Sequence, residues 1–253
     1  MADFETIRRA GAGAMSDIDE GLRSHMNRVY GIMSLGMLVT AIVAYVVGMD
    51  FAAARAGQET MLLSPELLQT MFTSPVRYII MFAPLAIVFG FGAGINRMSE
   101  NTARGVFILF AAVMGLSISW IFAVYTGASI ATTFLATAIA FASLSLYGYT
   151  TKRDISAWGS FLIMGVIGLI VASLLNIWIG SAGLSFAISL IGILVFAGLT
   201  AYDTQNIKNT YIAMASAGQT EWLGKAAIMG ALNLYLDFLN MFMFLLNFMG
   251  SSE

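Results

Sequence analysis

Cysteine is absent, proline occurs three times and histidine once, and only 12 basic and 14 acidic side chains are spread over 253 residues. Without cysteine there is no disulfide framework, no thiolate metal site and no thiol nucleophile. His25 alone cannot build a histidine-rich metal centre. A net charge of -2 offers no cationic surface for nucleic acid, which is held by many clustered lysines and arginines. The charged fraction is 10%, where soluble domains carry about 25%, and 59% of residues are apolar. The composition is that of a chain embedded in lipid.

The distribution of charge gives the number of crossings. No Asp, Glu, Lys or Arg occurs from Gly105 to Thr151, nor from Ile155 to Tyr202. At ~1.5 Å per helical residue each run reaches ~70 Å, more than twice the ~30 Å hydrocarbon core of a bilayer, so each crosses twice. The expected breaks are Thr126 to Ser129 and Gly180 to Gly183, both small or glycine-rich. Three further apolar stretches, near Val29 to Gly48, Val76 to Ile95 and Ala226 to Met249, bring the count to seven. These stretches are continuous, without the alternating ten-residue pattern of a barrel strand, so the fold class is all-α and multi-pass. Pro84 falls inside the second span, where it predicts a packing kink rather than a gating hinge. Gly90 and Gly94 form a small-xxx-small pair, read as internal helix packing.

Basic residues fall in alternate loops. Arg8, Arg9, Arg23, Arg28, Arg97, Arg104, Lys152, Arg153, Lys208 and Lys225 share one side, and Arg55 and Arg77 the other. The positive-inside bias predicts a cytoplasmic N-terminus and, with seven spans, an external C-terminus. Residues Met1 to Met26 are polar and lack the apolar core of a secretory signal. They are read as a mobile or interfacial cytoplasmic tail, with residues 27–250 as the transmembrane domain and His25 at headgroup level.

Two aspartates lie where ionisable groups are expensive. An acid at membrane depth costs at least ~2.5 to 3.5 kcal/mol, so such residues face the bundle interior and mark a pathway or relay. Asp203 ends the sixth stretch in Ala201 to Lys208 (AYDTQNIK), and Asp237 lies within the seventh in Leu234 to Phe242 (LYLDFLNMF). Their midpoint is residue 220, inside the turn-like Gly218-Gln219-Thr220. If the sixth helix continues to about Ala215, an antiparallel hairpin sets both carboxylates at one height. Asn233, Asp237, Asn240 and Asn247 share one face of the seventh helix, making Asn233 and Asn240 candidates to line a pore. Two close carboxylates in a low dielectric share a proton, which makes the pair pH-sensitive. Arg97 is the candidate internal cation, with Arg104 as the alternative.

These segments, with Ser145 to Ser156 (SLYGYTTKRDIS) and Arg23 to Ala41 (RSHMNRVYGIMSLGMLVTA), resemble the Bax inhibitor-1 family, also called the transmembrane Bax inhibitor motif family, in its bacterial inner-membrane branch. The resemblance implies a seven-helix fold with the last helix central, placed in the cell inner membrane, and a pH-sensitive calcium leak. It also implies that the aspartates at the positions of Asp203 and Asp237 form a hydrogen-bonded pair closing the cytoplasmic side, with Arg97 matching the family's partner arginine. An acid found on the second helix of some members has no counterpart, since Val76 to Ile95 contains no Asp or Glu.

Calcium takes six to eight oxygens, and no sequence here resembles an EF-hand. Asp203 and Asp237, with Asn233 and Asn240, are therefore expected to meet calcium as a transported ion at low affinity, with no resident cofactor. An intramembrane aspartyl protease would need glycine-x-glycine-aspartate where Leu234-Tyr235-Leu236-Asp237 stands, and a retinal protein would need a lysine in the last span, which has none from Ala226 onward. No enzymatic activity is expected. The alternative function is a non-conducting regulator that binds a membrane-bound ATP-dependent protease, with Met1 to Met26 as its handle.

Overall fold

The structure is a computed structural model that describes residues 2–251, with side chains described from residue 19 onward except at Thr220. Eight α-helices and no β-strand occur among the described residues. They are α1 (Ala2–Arg55), α2 (Pro65–Thr73), α3 (Val76–Gly94), α4 (Glu100–Ile118), α5 (Gly127–Thr150), α6 (Trp158–Ile179), α7 (Ala182–Ser216) and α8 (Leu223–Met249). All but α2 are long and apolar enough to cross a membrane, so the chain is a seven-span membrane protein.

Local sequence accounts for the helix ends. Gly180 stops α6 in the left-handed region at φ 65°, and the Ser181 hydroxyl then caps α7 by accepting from Leu184 N at 3.3 Å. Between α4 and α5 the chain breaks earlier than Thr126. A 3₁₀ turn over Ser119–Ala123 ends α4, and the Thr126 hydroxyl caps α5 by accepting from Ser129 N, so Gly127 to Ser129 already form the first helical turn. The sequence reading did not include α2. Its Ser64 cap and Pro65 at the first position are a helix-start signature in a stretch too short to cross a bilayer. The first span, near Val29 to Gly48, lies within one uninterrupted helix, α1, that continues past it at both ends. The part of the N-terminal tail reading that concerns Met1 and the side chains of residues 2–18 lies outside the described residues.

The last helix occupies the centre. Buried positions occur all round α8, whereas α6 buries only Gly159, Leu162 and Leu169. A helix apolar on every side is stable only when enclosed, and α8 packs against α1, α4, α5 and α7. The long α1 contributes a single inward stripe: Leu22, Met26, Val29, Met33, Gly36, Thr40, Ala44 and Gly48, spaced three or four apart. At the rim, α6 packs on α7 and turns Phe161, Ile167, Leu174 and Trp178 outward, as a lipid-facing helix does.

Close approach relies on small residues, since apolar burial does not drive helices together in lipid. Gly115 of α4 lies against the α1 backbone, where a Cβ would come within 2.6 Å of Thr40 O. Gly148 of α5 is pressed against the backbone of Ala201 on α7. The Gly90 and Gly94 pair does not pack two helices together: Gly90 faces outward with nothing within 4 Å of its Cβ position, and Gly94 meets only Met98. Pro84 sits buried inside α3, which continues past it to Gly94.

Candidate functional site

The site is built on the α7–α8 hairpin. Gly218, at φ 70°, makes the left-handed turn that an L side chain disfavours, and the two helices run back antiparallel from it. Asp203 precedes the end of α7 at Ser216 by thirteen residues, and Asp237 follows the start of α8 at Leu223 by fourteen. At ~1.5 Å per residue both stand ~20 Å from the turn.

The hairpin sets the Asp203 and Asp237 carboxyl groups as neighbours on adjacent helices. Asp237 is buried and Asp203 half-buried. Ionised carboxylates are acceptors only, so two such neighbours can hydrogen-bond to each other only while one of them carries a proton. Asp237 Oδ2 is buried with no hydrogen-bond partner among the described residues. An acceptor left unpaired in the interior is costly, and it is the usual mark of a group kept for more than packing.

The other ionisable groups nearby on the neighbouring helices point elsewhere. Tyr202 packs on Gly159 of α6. Lys208 Nζ donates to Tyr149 O of α5 at 2.8 Å, and the His25 ring of α1 lies 4.9 Å from that of Tyr211. Tyr235, on α8 but turned from the pair, contacts Thr40 Oγ1 of α1 at 2.6 Å, and Thr40 Oγ1 donates to Ala111 O of α4. Since the Thr40 proton is spent on Ala111, Tyr235 is the donor in that contact.

The residues after Asp203 form a clasp that hydropathy did not reveal. Thr204 Oγ1 donates to Thr200 O at 2.7 Å, so in its 2.9 Å contact with Ser145 Oγ it accepts. Ser145 then accepts from Tyr30 Oη at 2.6 Å. One directed chain of hydroxyls thus runs from α1 through α5 to α7. Gln205 holds the loop after α5 from both sides, accepting from Ile155 N at 2.9 Å and donating to Arg153 O at 2.8 Å. With Lys208 donating to the Tyr149 carbonyl near the end of α5, Thr204, Gln205 and Lys208 lock α7 to α5 and the loop after it, beside the two acids. The signal available in the sequence was a run of polar residues immediately after an intramembrane aspartate.

The structure does not bring Arg97 to the acids. It is exposed in the 3₁₀ turn after α3 and makes no ion pair among the described residues. Arg104 pairs with Glu100 at 3.6 Å, and Glu100 also pairs with Arg28 across α1 and α4. The face proposed for the asparagines divides. Asn240 is half-buried, donates to Leu236 O of its own helix at 2.8 Å, and lines a hollow of about 520 Å³ with Pro84, Ser117 and Ser173. Asn233 is half-buried outside that hollow, and exposed Asn247 accepts from Ser189 at 2.6 Å. No group of three or more His, Asp or Glu that could hold a metal occurs among the described residues. Two carboxylates fall short of a resident calcium site.

A second fully buried acid lies at a span end, where sequence alone does not mark it. Asp50, near the end of α1, accepts from three consecutive amides, Met61 N, Leu62 N and Leu63 N, at 2.7 to 2.9 Å. It fixes the loop before α2.

Comparison with known proteins places this geometry in context. A family model described as "Inhibitor of apoptosis-promoting Bax1" matches residues 22–253. The chain is 45% identical to a protein of Rickettsia prowazekii over 92% of each chain. It is 44% identical to "Inner membrane protein YbhL" of Escherichia coli strain K12 over 91% of this chain and 93% of that one. It is 40% identical to a protein of Caulobacter vibrioides over 93% and 92% of the two chains.

Proposed function

The chain belongs to the Bax inhibitor-1 family, and from that premise we propose that it is an inner-membrane, pH-sensitive leak for calcium and related cations, gated by Asp203 and Asp237. The observation that carries this reading is the buried Asp237 carboxyl, which neighbours the Asp203 carboxyl on the adjacent helix and whose Oδ2 has no hydrogen-bond partner among the described residues.

While a proton bridges the two groups, α7 and α8 are held together at that level. Loss of the proton leaves two like charges in a weakly screening interior. Two carboxylates ~4 Å apart at an effective dielectric of ~20 repel by about 4 kcal/mol. That is enough to shift a two-state helix packing by two to three orders of magnitude in population. Because Thr204, Gln205 and Lys208 tie α7 to α5, the displacement moves α5 and α7 as one unit against α8. The free oxygen of Asp237 then faces a passing hydrated cation, and with no group of three or more His, Asp or Glu among the described residues binding stays weak enough for release. The positive-inside bias puts this end of the bundle in the cytoplasm, with the C-terminus outside.

The test is calcium flux, beside potassium and proton flux, in proteoliposomes of purified protein across pH. The wild type should leak with a pH-dependent rate, and Asp203→Asn and Asp237→Asn should each flatten that dependence. A wild type that conducts nothing supports instead the non-conducting regulator, and unchanged pH profiles in both variants would remove the acid pair from the mechanism.

A further inference from the structure

A hollow of about 570 Å³ lies between α1 and α5, lined by Arg23, Met26, Asn27 and Tyr30 on one wall and by Phe141, Ala142, Ser145, Leu146 and Tyr149 on the other. The two helices pack on α7 and α8 rather than on each other, which leaves the slot between them. It lies within two membrane spans, at the end of the bundle where the basic loops gather, and has the volume of a small-molecule site.

Its polarity is graded with depth. At the floor, the Tyr30 hydroxyl donates to Ser145, Ser145 to Thr204 and Thr204 to the Thr200 carbonyl, so every hydroxyl proton there is already used. The other buried side chains of the lining are Met26 and Phe141, both apolar. An occupant therefore gains nothing by presenting a polar acceptor at that depth, and its inner part is hydrocarbon. At the mouth the chemistry reverses. Arg23 and Asn27 are exposed one turn apart on the same face of α1, and Arg23 forms no ion pair with Asp19, Glu20 or any other acid among the described residues. Behind Tyr149, Lys208 Nζ lies 5.6 Å from the ring centroid and adds positive potential, with no carboxylate partner among the described residues.

We infer that this slot binds one anionic glycerophospholipid of the leaflet at the basic end, with an acyl chain between α1 and α5 and the phosphate at Arg23 and Asn27. Basic pockets between transmembrane helices on the cytoplasmic side are where anionic headgroups are recognised. A zwitterionic lipid fills the same apolar slot, but its own ammonium group neutralises the attraction. The guanidinium thus sets headgroup preference, and the slot sets retention.

The experiment is native mass spectrometry of the full chain in detergent, titrated with dioleoylphosphatidylglycerol or dioleoylphosphatidylcholine. The wild type is expected to retain one phosphatidylglycerol in preference to phosphatidylcholine. Arg23→Gln, a change at an exposed position, should lower that preference about fivefold, the worth of one basic residue at a membrane surface. Arg77→Gln at the opposite end should leave it unchanged. Ala142→Trp, which fills the slot from an exposed wall position, should reduce retention of both lipids, and its unfolding midpoint should match the wild type. Equal retention of the two lipids by the wild type, a preference untouched by Arg23→Gln, or full retention in Ala142→Trp would each overturn the assignment.

Discussion

Asp203 of α7 and Asp237 of α8 are neighbouring carboxyl groups at about the same distance from the turn that joins their helices, and the buried Asp237 Oδ2 has no hydrogen-bond partner among the described residues. The contact is one of shape as well as charge, because an amide can replace one acid and still reach the other. Asp237→Asn should therefore retain most of the thermal stability of the protein in detergent. Asp237→Leu leaves the Asp203 carboxyl without its partner, and should be less stable than Asp237→Asn by about 1 to 3 kcal/mol. Equal unfolding midpoints for the two variants would show that the pair holds nothing together.

Helix approach at Gly148 sets the position of α7 relative to α5. A side chain there meets the backbone of Ala201, which cannot rotate away as a flexible side chain does. Gly148→Val should cost on the order of 1 to 3 kcal/mol through forced helix separation. Gly90→Ala, with open space around the new methyl, should change stability by less than about 0.5 kcal/mol. Thermal unfolding of both variants in the same detergent makes the comparison.

The loop before α2 should loosen when Asp50 loses its charge. Asp50→Asn keeps one carbonyl acceptor for the amides of Met61, Leu62 and Leu63, and Asp50→Ala keeps none. Amide hydrogen exchange at those three residues should accelerate in the order wild type, Asp50→Asn, Asp50→Ala. Unaltered exchange would mean that the loop is held by something other than this carboxylate.

In the loop between α5 and α6, the Ser156 hydroxyl, followed by its amide, holds the Asp154 carboxyl below the ordinary aspartate range. A carboxyl depressed in the folded state stabilises this turn at every pH above its unfolded value of ~3.9, and the support disappears as pH falls through the lower folded value. The Ser156 amide resonance should therefore titrate with a midpoint below ~3.9, and Ser156→Ala should move the Asp154 midpoint upward.

Residue by residue, the legible part of the site was the part that violates a composition rule. An acid inside an apolar run stands out at Asp203 and Asp237 without any knowledge of neighbours. Asp50 did not stand out, because an acid at a span end is unremarkable until its three amide partners are seen. Thr204 and Gln205 look like ordinary polar residues at the end of a helix, and their partners lie fifty or more residues away. Arg97 illustrates the converse: it lies at the end of the second span, as sequence suggested, yet makes no ion pair with either acid.

What the sequence determined alone was the number of crossings, their all-helical character and the existence of a hairpin bearing two acids. These follow from hydropathy and spacing, which add up locally along the chain. What only the tertiary structure decided was which side chains meet: the enclosure of α8, the hydroxyl chain from Tyr30 to Thr200, the slot between α1 and α5, and the outward turn of Gly90. Such contacts depend on how each helix is rotated and how closely its backbone approaches the next. Those quantities are set jointly by several helices, through places such as Gly115 against Thr40, and no single segment carries them.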